Sequence, residues 1–509
     1  MPRTLSLGGS GLTFDDVKAL VRDEPQGRNV RLKIAPTAVR AMKRSRAVLE
    51  KAIAEGRTVY GVNTGFGRLS DTRIEEDDLE TLQTNLLRSH AVGSGPHLER
   101  PGTFMALRAN SLALGPSGVT PALVRMLAEM YNRGVEPCVP TVGSVGASGD
   151  LAPLAELGVV MMGEGVASAP GVEHGPAARA LAKAKLKPYR FGPKEALALI
   201  NGTQLMSALL AEALVEAEEL LLFADVAGAM SLEALKGSLK PFDPRVHAIR
   251  PHPGQKTVAE NVRRLLARSE VLESHRDCRR VQDAYSLRCM PQVHGAARDA
   301  FDFARGVLLI EINSATDNPL VFANGDVLSA GNFHGQPLAQ AADILAIALA
   351  TVANISERRI ERMTNPDLSE LPPFLVRESG VNSGFMMAQV AAAAIAAECR
   401  VDATPASVQS IPTGAAKEDH VSMGPLAARK CLRIVEGLRR ILTLEAVCAA
   451  QGLDFLKPLK PGDGVAAAHR EVRKVVPFLE EDRSLRSDLK KVRPGEVVAA
   501  ARKAAGRLA

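Results

Sequence analysis

KEALALINGTQLMSALLAEALVEAEELLLFADVAGAMSLEALKG, residues 194–237, contains no proline; the nearest are Pro193 and Pro241. It is rich in Ala, Leu, Met and Glu, which give up little conformational freedom in a helix. Apolar residues cover most of the helix circumference, so the stretch predicts a helix buried on several sides, as in the middle of a large bundle. Its alanines let neighbouring helices approach closely. QPLAQAADILAIALATVANISERRIERM (336–363) and NSGFMMAQVAAAAIAAECRVD (382–402) read the same way, as does SMGPLAARKCLRIVEGLRRILTLEAVCAAQG (422–452) after its early Pro425. Segments rich in β-formers are scarce. The fold class is therefore mainly α, built around a central bundle of long helices.

Outward from this centre the character changes. Residues 1–195 are broken by Gly and Pro into short patterns and loops such as YGVNTGFGRLS (60–70) and AVGSGPHLERPG (91–102). The expected organisation is a loop-rich part at 1–195, a long-helix bundle at 196–455 and a helical end at 456–509, forming one continuous unit. VASAPGVEHGPAARALAKAKLKP (166–188) reads as a surface connection, and the basic stretch 488–509 as a solvated terminal helix.

Composition narrows the function classes. The chain has 509 residues, 46% hydrophobic and 24% charged, with net charge +6. That length buries a large core without disulfides or metals. No Lys/Arg block is interleaved with aromatics, so no nucleic-acid partner is expected. No uncharged apolar run approaches about eighteen residues, so no membrane span is expected, and the N-terminus carries no apolar signal-peptide core. The six cysteines form no CxxC pair. They read as reduced, mostly buried thiols in a cytosolic protein. His247 and His252 in HAIRPH stand five apart with no acidic neighbour, so no metal site is expected.

TVGSVGASGDLAPLAEL (141–157) carries the chemistry. Gly143, Gly146 and Gly149 recur every third residue. Asp150 is suited to cap the helix that follows, and Pro153 is tolerated in its first turn. Ala147, Ser148 and Gly149 therefore lie at a positive helix end. Spacing alone leaves three readings open: a structural turn, an anion site, or a backbone that reacts with itself. The anion reading lacks a G-K-[ST] ending and an acidic residue in dinucleotide context. A hydrolase reading fails because Ser148 is not in a G-x-S-x-G elbow. The third reading has definite chemistry. Glycine has no Cβ, so the Gly149 amide nitrogen can reach the Ala147 carbonyl. Closure with loss of water makes an imidazolone, and loss of the Ser148 hydroxyl leaves an exocyclic methylidene. The product is an electrophile, 4-methylidene-imidazol-5-one.

GSVGASGDLAPLAEL resembles the signature of the aromatic amino acid ammonia-lyase family. So, in order along the chain, do YGVNTGFG, NLLRSHAVGSG, EALALINGTQ, QDAYSLRCMPQVHG, EINSATDNPL, SAGNFHGQP and KEDHVSMG. The resemblance implies a helical bundle of the fumarase/aspartase-like type and this same electrophile, made from Ala147, Ser148 and Gly149, with no external cofactor. By resemblance Tyr60 is the base that takes the substrate's β-proton. A free phenol has a pKa of about 10, so a nearby cation or helix end has to assist it. Asn201 bonds the electrophile's oxygen, and Phe333 packs near it as an aromatic wall. Gln282 and Tyr285 orient substrate and ring, and Arg288 clamps the α-carboxylate, where a guanidinium fork suits better than lysine.

The substrate reading rests on two places. The Ser89-His90 pair is similar to the histidine-specific members, with His90 bonded to the substrate imidazole. Glu418 is the second mark of that type, although Ala416-Lys417 stand just before it where many relatives have Asn-Gln. The implied reaction is non-oxidative deamination of L-histidine in the cytoplasm. A tyrosine or phenylalanine ammonia-lyase or aminomutase is the alternative. The implied assembly is a homotetramer whose sites are shared between subunits.

Overall fold

A computed structural model describes residues 2–69, 71–277 and 280–509. Cys278 lies outside them. Of the other five cysteines, all free, Cys399, Cys431 and Cys448 are buried, and Cys138 and Cys289 are partly so.

The chain is mainly helical, as its composition predicts. Its longest elements are the helices Gln204–Ala234, Met290–Glu311, Gln336–Thr364 and Gly424–Asp454. The described strands form only small two- and three-stranded sheets, including a parallel pair of Arg3–Leu7 with Val30–Ile34. Helix Gln336–Thr364 is long and apolar enough to cross a membrane, and 67% of its most apolar window is buried inside the protein. That is how a core helix looks. The stretch 166–188, expected as a surface connection, is an antiparallel hairpin followed by helix Ala177–Lys183. It buries Ala167, Ala177, Ala180 and Leu181, because small and apolar residues recur on one face.

Two compact units emerge. One comprises the chain up to Val215 with Arg305–Asp343 and Pro405–Arg429; the other comprises Glu216–Ala304, Ile344–Thr404 and Lys430–Ala509. Four of the five boundaries fall inside long helices, and the fifth, between Thr404 and Pro405, falls in a loop.

In the first unit, helix Pro101–Ala113 is buried along its whole length. Helix Leu151–Met161 packs against Leu79–His90 and Glu195–Ile200. Gly158 makes the first of these contacts possible: a Cβ there would come within 2.5 Å of Leu87. In the second unit a polar network crosses the apolar interior. Arg359 and Glu445, both fully buried, form a two-pronged ion pair. Ser231 and Ser356 also donate to the Glu445 carboxylate. A buried ion pair is tolerated only when its remaining polar atoms are bonded, and these are.

Candidate active site

The glycine spacing of 141–150 has a conformational cause. Gly143, Gly146 and Gly149 have φ of +148°, +66° and +78°, a region L side chains rarely enter. Space is short as well. A Cβ on Gly149 would lie 2.4 Å from the Gly202 carbonyl oxygen, and one on Gly146 would lie 2.2 Å from Ser422 Oγ.

Hydrogen bonds fix the segment from three sides. Ser144 Oγ donates toward Gly149 O (3.2 Å) and Asp150 Oδ1 (3.0 Å) and accepts from Gly146 N at 3.0 Å. Ser422 Oγ donates to Gly146 O at 2.9 Å, and Met423 N donates to Val145 O at 2.8 Å. Asn201 Nδ2 donates to Ser148 O at 2.6 Å. Asp150 N donates to Gly202 O at 2.6 Å.

Asp150 departs from expectation. It stands at the N-cap of Leu151–Met161, but its side chain makes no cap bond there. It accepts instead from Met206 N at 3.1 Å, in the first turn of helix Gln204–Ala234. The reason is positional. The Asn201–Gly202 turn brings that second helix start against Asp150, and its unpaired N–H groups need an acceptor. Burial pushes the Asp150 carboxyl up to about 7, against the bonds it accepts from Met206, Ser144 and Leu205. Two helix N-termini therefore meet at Ser148–Asp150. A third, at Gly424, touches the same segment through Ser422, whose Oγ accepts from Gly424 N at 3.1 Å. Together they make the surroundings positive.

Ser148 opens into a cavity of about 990 Å³ that is also lined by Tyr60, His90, Asn201, Phe333 and Glu418. Ala147 and Gly149 are buried just behind it. Ser148 Oγ donates to Glu418 Oε1 at 2.6 Å, and Thr413 Oγ1 donates to Glu418 Oε2 at 2.6 Å. The turn that delivers Glu418 has three successive left-handed residues, Gly414, Ala415 and Ala416, with φ of 58°, 54° and 62°. The Ala416-Lys417 departure seen in the sequence thus falls inside this turn.

His90 ends helix Leu79–His90. Its Nδ1 lies 2.9 Å from the Leu86 carbonyl, an acceptor only, so Nδ1 carries the proton and Nε2 keeps its lone pair. Burial lowers its pKa, outweighing the Leu86 bond and the nearby Glu418 charge. Tyr60 is half-buried, and its oxygen accepts from Gly67 N at 3.3 Å.

Gln282, Tyr285 and Arg288 do not line this cavity. They belong to the second unit, where Tyr285 opens the short helix Tyr285–Arg288 and is 68% exposed. The Arg288 guanidinium lies 4.7 Å from the centre of the Tyr285 ring, and its buried Nε has no hydrogen-bond partner among the described residues. His247, set aside as a metal ligand, bonds Pro241 O and Gln255. Among the described residues no cluster of His, Cys, Asp or Glu could hold a metal ion.

A family model described as aromatic amino acid lyase matches residues 12–474. The chain belongs to the aromatic amino acid lyase family. This lyase is 49% identical over 510 residues to a histidine ammonia-lyase of Myxococcus xanthus, covering 99% of both chains. Among solved structures it is similar to histidine ammonia-lyase from Trypanosoma cruzi, with TM-score 0.88, 43% identity, and coverage of 98% and 93% of the two chains. It is also similar to tyrosine aminomutase from Streptomyces globisporus, with TM-score 0.93, 35% identity and full coverage of both. Family membership makes the lyase a carbon–nitrogen lyase.

Sequence reasoning missed the supports of the lyase's site. Ser144, Thr413 and Ser422 are small polar residues in loops, with no motif beyond the segments that contain them. Ser422 bonds the Gly146 backbone 276 positions away, and no local signal marks such a residue.

Proposed function

We propose that this lyase removes ammonia from L-histidine without oxidation, giving trans-urocanate, in the cytoplasm. The observation that carries the reading is the pairing of His90 and Glu418 in the cavity into which Ser148 opens. An imidazole needs polar partners at its two ring nitrogens, whereas a phenyl ring leaves both such groups unmatched and a phenol, with a single hydroxyl, leaves one. The relatives named histidine ammonia-lyase support the same substrate.

The residues fit a 4-methylidene-imidazol-5-one built from Ala147, Ser148 and Gly149. Gly149 is held where a side chain would collide, the carbonyl of Ser148 has a fixed donor in Asn201, and the hydroxyl of Ser148 has a carboxylate beside it. That group supplies an electrophilic carbon, which turns the poor amine leaving group of the substrate into a good one. The chain's own residues do the rest. Asn201 Nδ2 and the converging helix starts stabilise negative charge at the Ser148 oxygen without reorganising. The Tyr60 oxygen takes the β-proton, and the Gly67 N–H steadies the oxygen while it is negative. His90 Nε2 accepts an imidazole N–H. Phe333 closes the apolar side and excludes water.

Arg288, Tyr285 and Gln282 complete the site from other copies of the chain, in a homotetramer. The exposed Tyr285 and the Arg288 Nε, which has no hydrogen-bond partner among the described residues, support this, because a guanidinium fork can still take up a carboxylate. Ultraviolet assays with L-histidine, L-tyrosine and L-phenylalanine test the reading. Urocanate from histidine alone, lost in Ser148→Ala, is expected; coumarate or cinnamate as the main product overturns the substrate.

A further inference from the structure

Behind the Asn201–Gly202 turn lies a fully buried cation. Arg108 comes from helix Pro101–Ala113 and has no solvent exposure. Nε donates to Leu199 O at 2.9 Å, and Nη2 donates to Ala198 O. Nη1 donates to Gln204 Oε1 at 2.9 Å and Thr316 O at 3.2 Å. Ala198 and Leu199 end helix Glu195–Ile200, where carbonyls lack partners and the helix is negative. Gln204 begins the next helix. One guanidinium thus grips both sides of the turn that presents Asn201 and Gly202. The packing has no slack. A Cβ on Gly202 would lie 2.1 Å from Arg108 Nη1, and one on Gly149 would lie 2.4 Å from Gly202 O. Guanidinium, turn and reactive tripeptide are stacked in direct contact.

We propose that Arg108 is a positioning residue for ring closure: it holds the Asn201–Gly202 turn against Ser148–Gly149, so that the tripeptide backbone stays in the conformation that closes. The inference rests on the reading in which the ring forms. In that step the Gly149 nitrogen bonds the Ala147 carbonyl carbon. The carbonyl oxygen leaves as water with the Gly149 and Ser148 amide protons. The Ser148 hydroxyl leaves as a second water with the Ser148 Cα proton. No oxidant or further reactant is needed. Holding reacting atoms in place accelerates such intramolecular steps by removing the entropy of alignment. Lysine keeps the charge but cannot fan to four acceptors on three sides.

The test is the mass of the peptide spanning Ala147–Gly149 in the full-length protein, for wild type, Arg108→Lys and Gln204→Leu. Wild type is expected to be lighter by two waters. Arg108→Lys is expected to fold with wild-type circular dichroism and assembly, yet to be mostly unclosed on purification and to close slowly on incubation. Its kcat should fall in proportion to the closed fraction, with KM unchanged; a merely structural role would move the melting point instead. Arg108→Lys closed as fully and as fast as wild type overturns the inference. Should that variant not fold, Gln204→Leu decides: closure slowed several-fold supports it, and wild-type closure overturns it. A wild-type peptide that retains both waters overturns the ring-forming reading itself, and this inference with it.

Discussion

The hydroxyl of Ser148 and the carboxylate of Glu418 are hydrogen-bonded at 2.6 Å, although 270 positions separate them in the chain. In the proposed reaction Ser148 becomes part of the electrophile and Glu418 faces the substrate ring. Glu418→Gln keeps the shape and removes the charge. A hydrogen bond to a charged group is worth about 1.5–3 kcal/mol, so kcat/KM for L-histidine should fall roughly 10- to 100-fold. A change below twofold in steady-state assays would remove Glu418 from the site.

In the proposed function His90 sets selectivity through one lone pair. His90→Leu should cost about 1–3 kcal/mol of binding to the imidazole, because a buried polar group of the substrate loses its partner. Relative kcat/KM should shift toward L-phenylalanine. Burial holds the His90 pKa below its ordinary value, so the wild-type ring resists protonation. Its protonation should weaken substrate binding only at pH below that at which a free imidazole titrates, which a KM–pH profile reads directly.

Asp150 makes stability depend on pH. Its folded pKa, pushed up to about 7, exceeds the ordinary aspartate value of 3.8. The folded state therefore binds the proton more tightly than the unfolded state. The corresponding stabilisation is fully present below about pH 4 and is lost as pH rises to about 7. Asp150→Asn still accepts from Met206 N but cannot ionise. Plotted against pH, its melting temperature should show a shallower fall over that window than wild type; parallel curves would contradict the assignment.

The Glu418 turn stores backbone strain. Ala416 sits at φ 62°, which costs an L residue about 1–2 kcal/mol, while Asn tolerates it better. Ala416→Asn should raise stability by up to ~1 kcal/mol, seen in thermal or urea unfolding, without loss of histidine turnover. A lower melting point would mean that the alanine methyl is needed.

Arg359 supports the Tyr285–Arg288 helix from behind. Its Nη1 donates to Ser286 O at 3.3 Å while Nε and Nη2 hold Glu445. Arg359→Met leaves the Glu445 charge buried without its cation and should destabilise the protein by about 3–5 kcal/mol. Adding Glu445→Leu should recover much of that loss, as measured by urea unfolding of the single and double variants.

Much of the fold was legible because it is local. The proline-free run around Gln204–Ala234 and the Ala- and Leu-rich stretch Gln336–Thr364 are helices wherever they pack. The glycines of 141–150 announce positive φ and close approach by their type alone. The site was legible only in part. Tyr60, His90, Ser148, Asn201, Phe333 and Glu418 sit in recognisable segments, and they face one cavity. Asp150 was read as the cap of its own helix because sequence shows only the helix next to it. Its partner is the helix that begins at Gln204, brought there by the turn at Asn201–Gly202.

By itself, then, the sequence determined the helical class and the glycine constraints of 141–150, which follow from propensity and short-range sterics. The reactive tripeptide and the residues proposed for the imidazole came from the resemblance of whole segments to the family. Tertiary structure alone decided that Glu418 meets Ser148, that Asp150 caps a distant helix, and that Arg108 grips the turn behind the tripeptide. Each of these is a contact between segments far apart in the chain. Such contacts depend on how whole helices pack, and no local pattern encodes that.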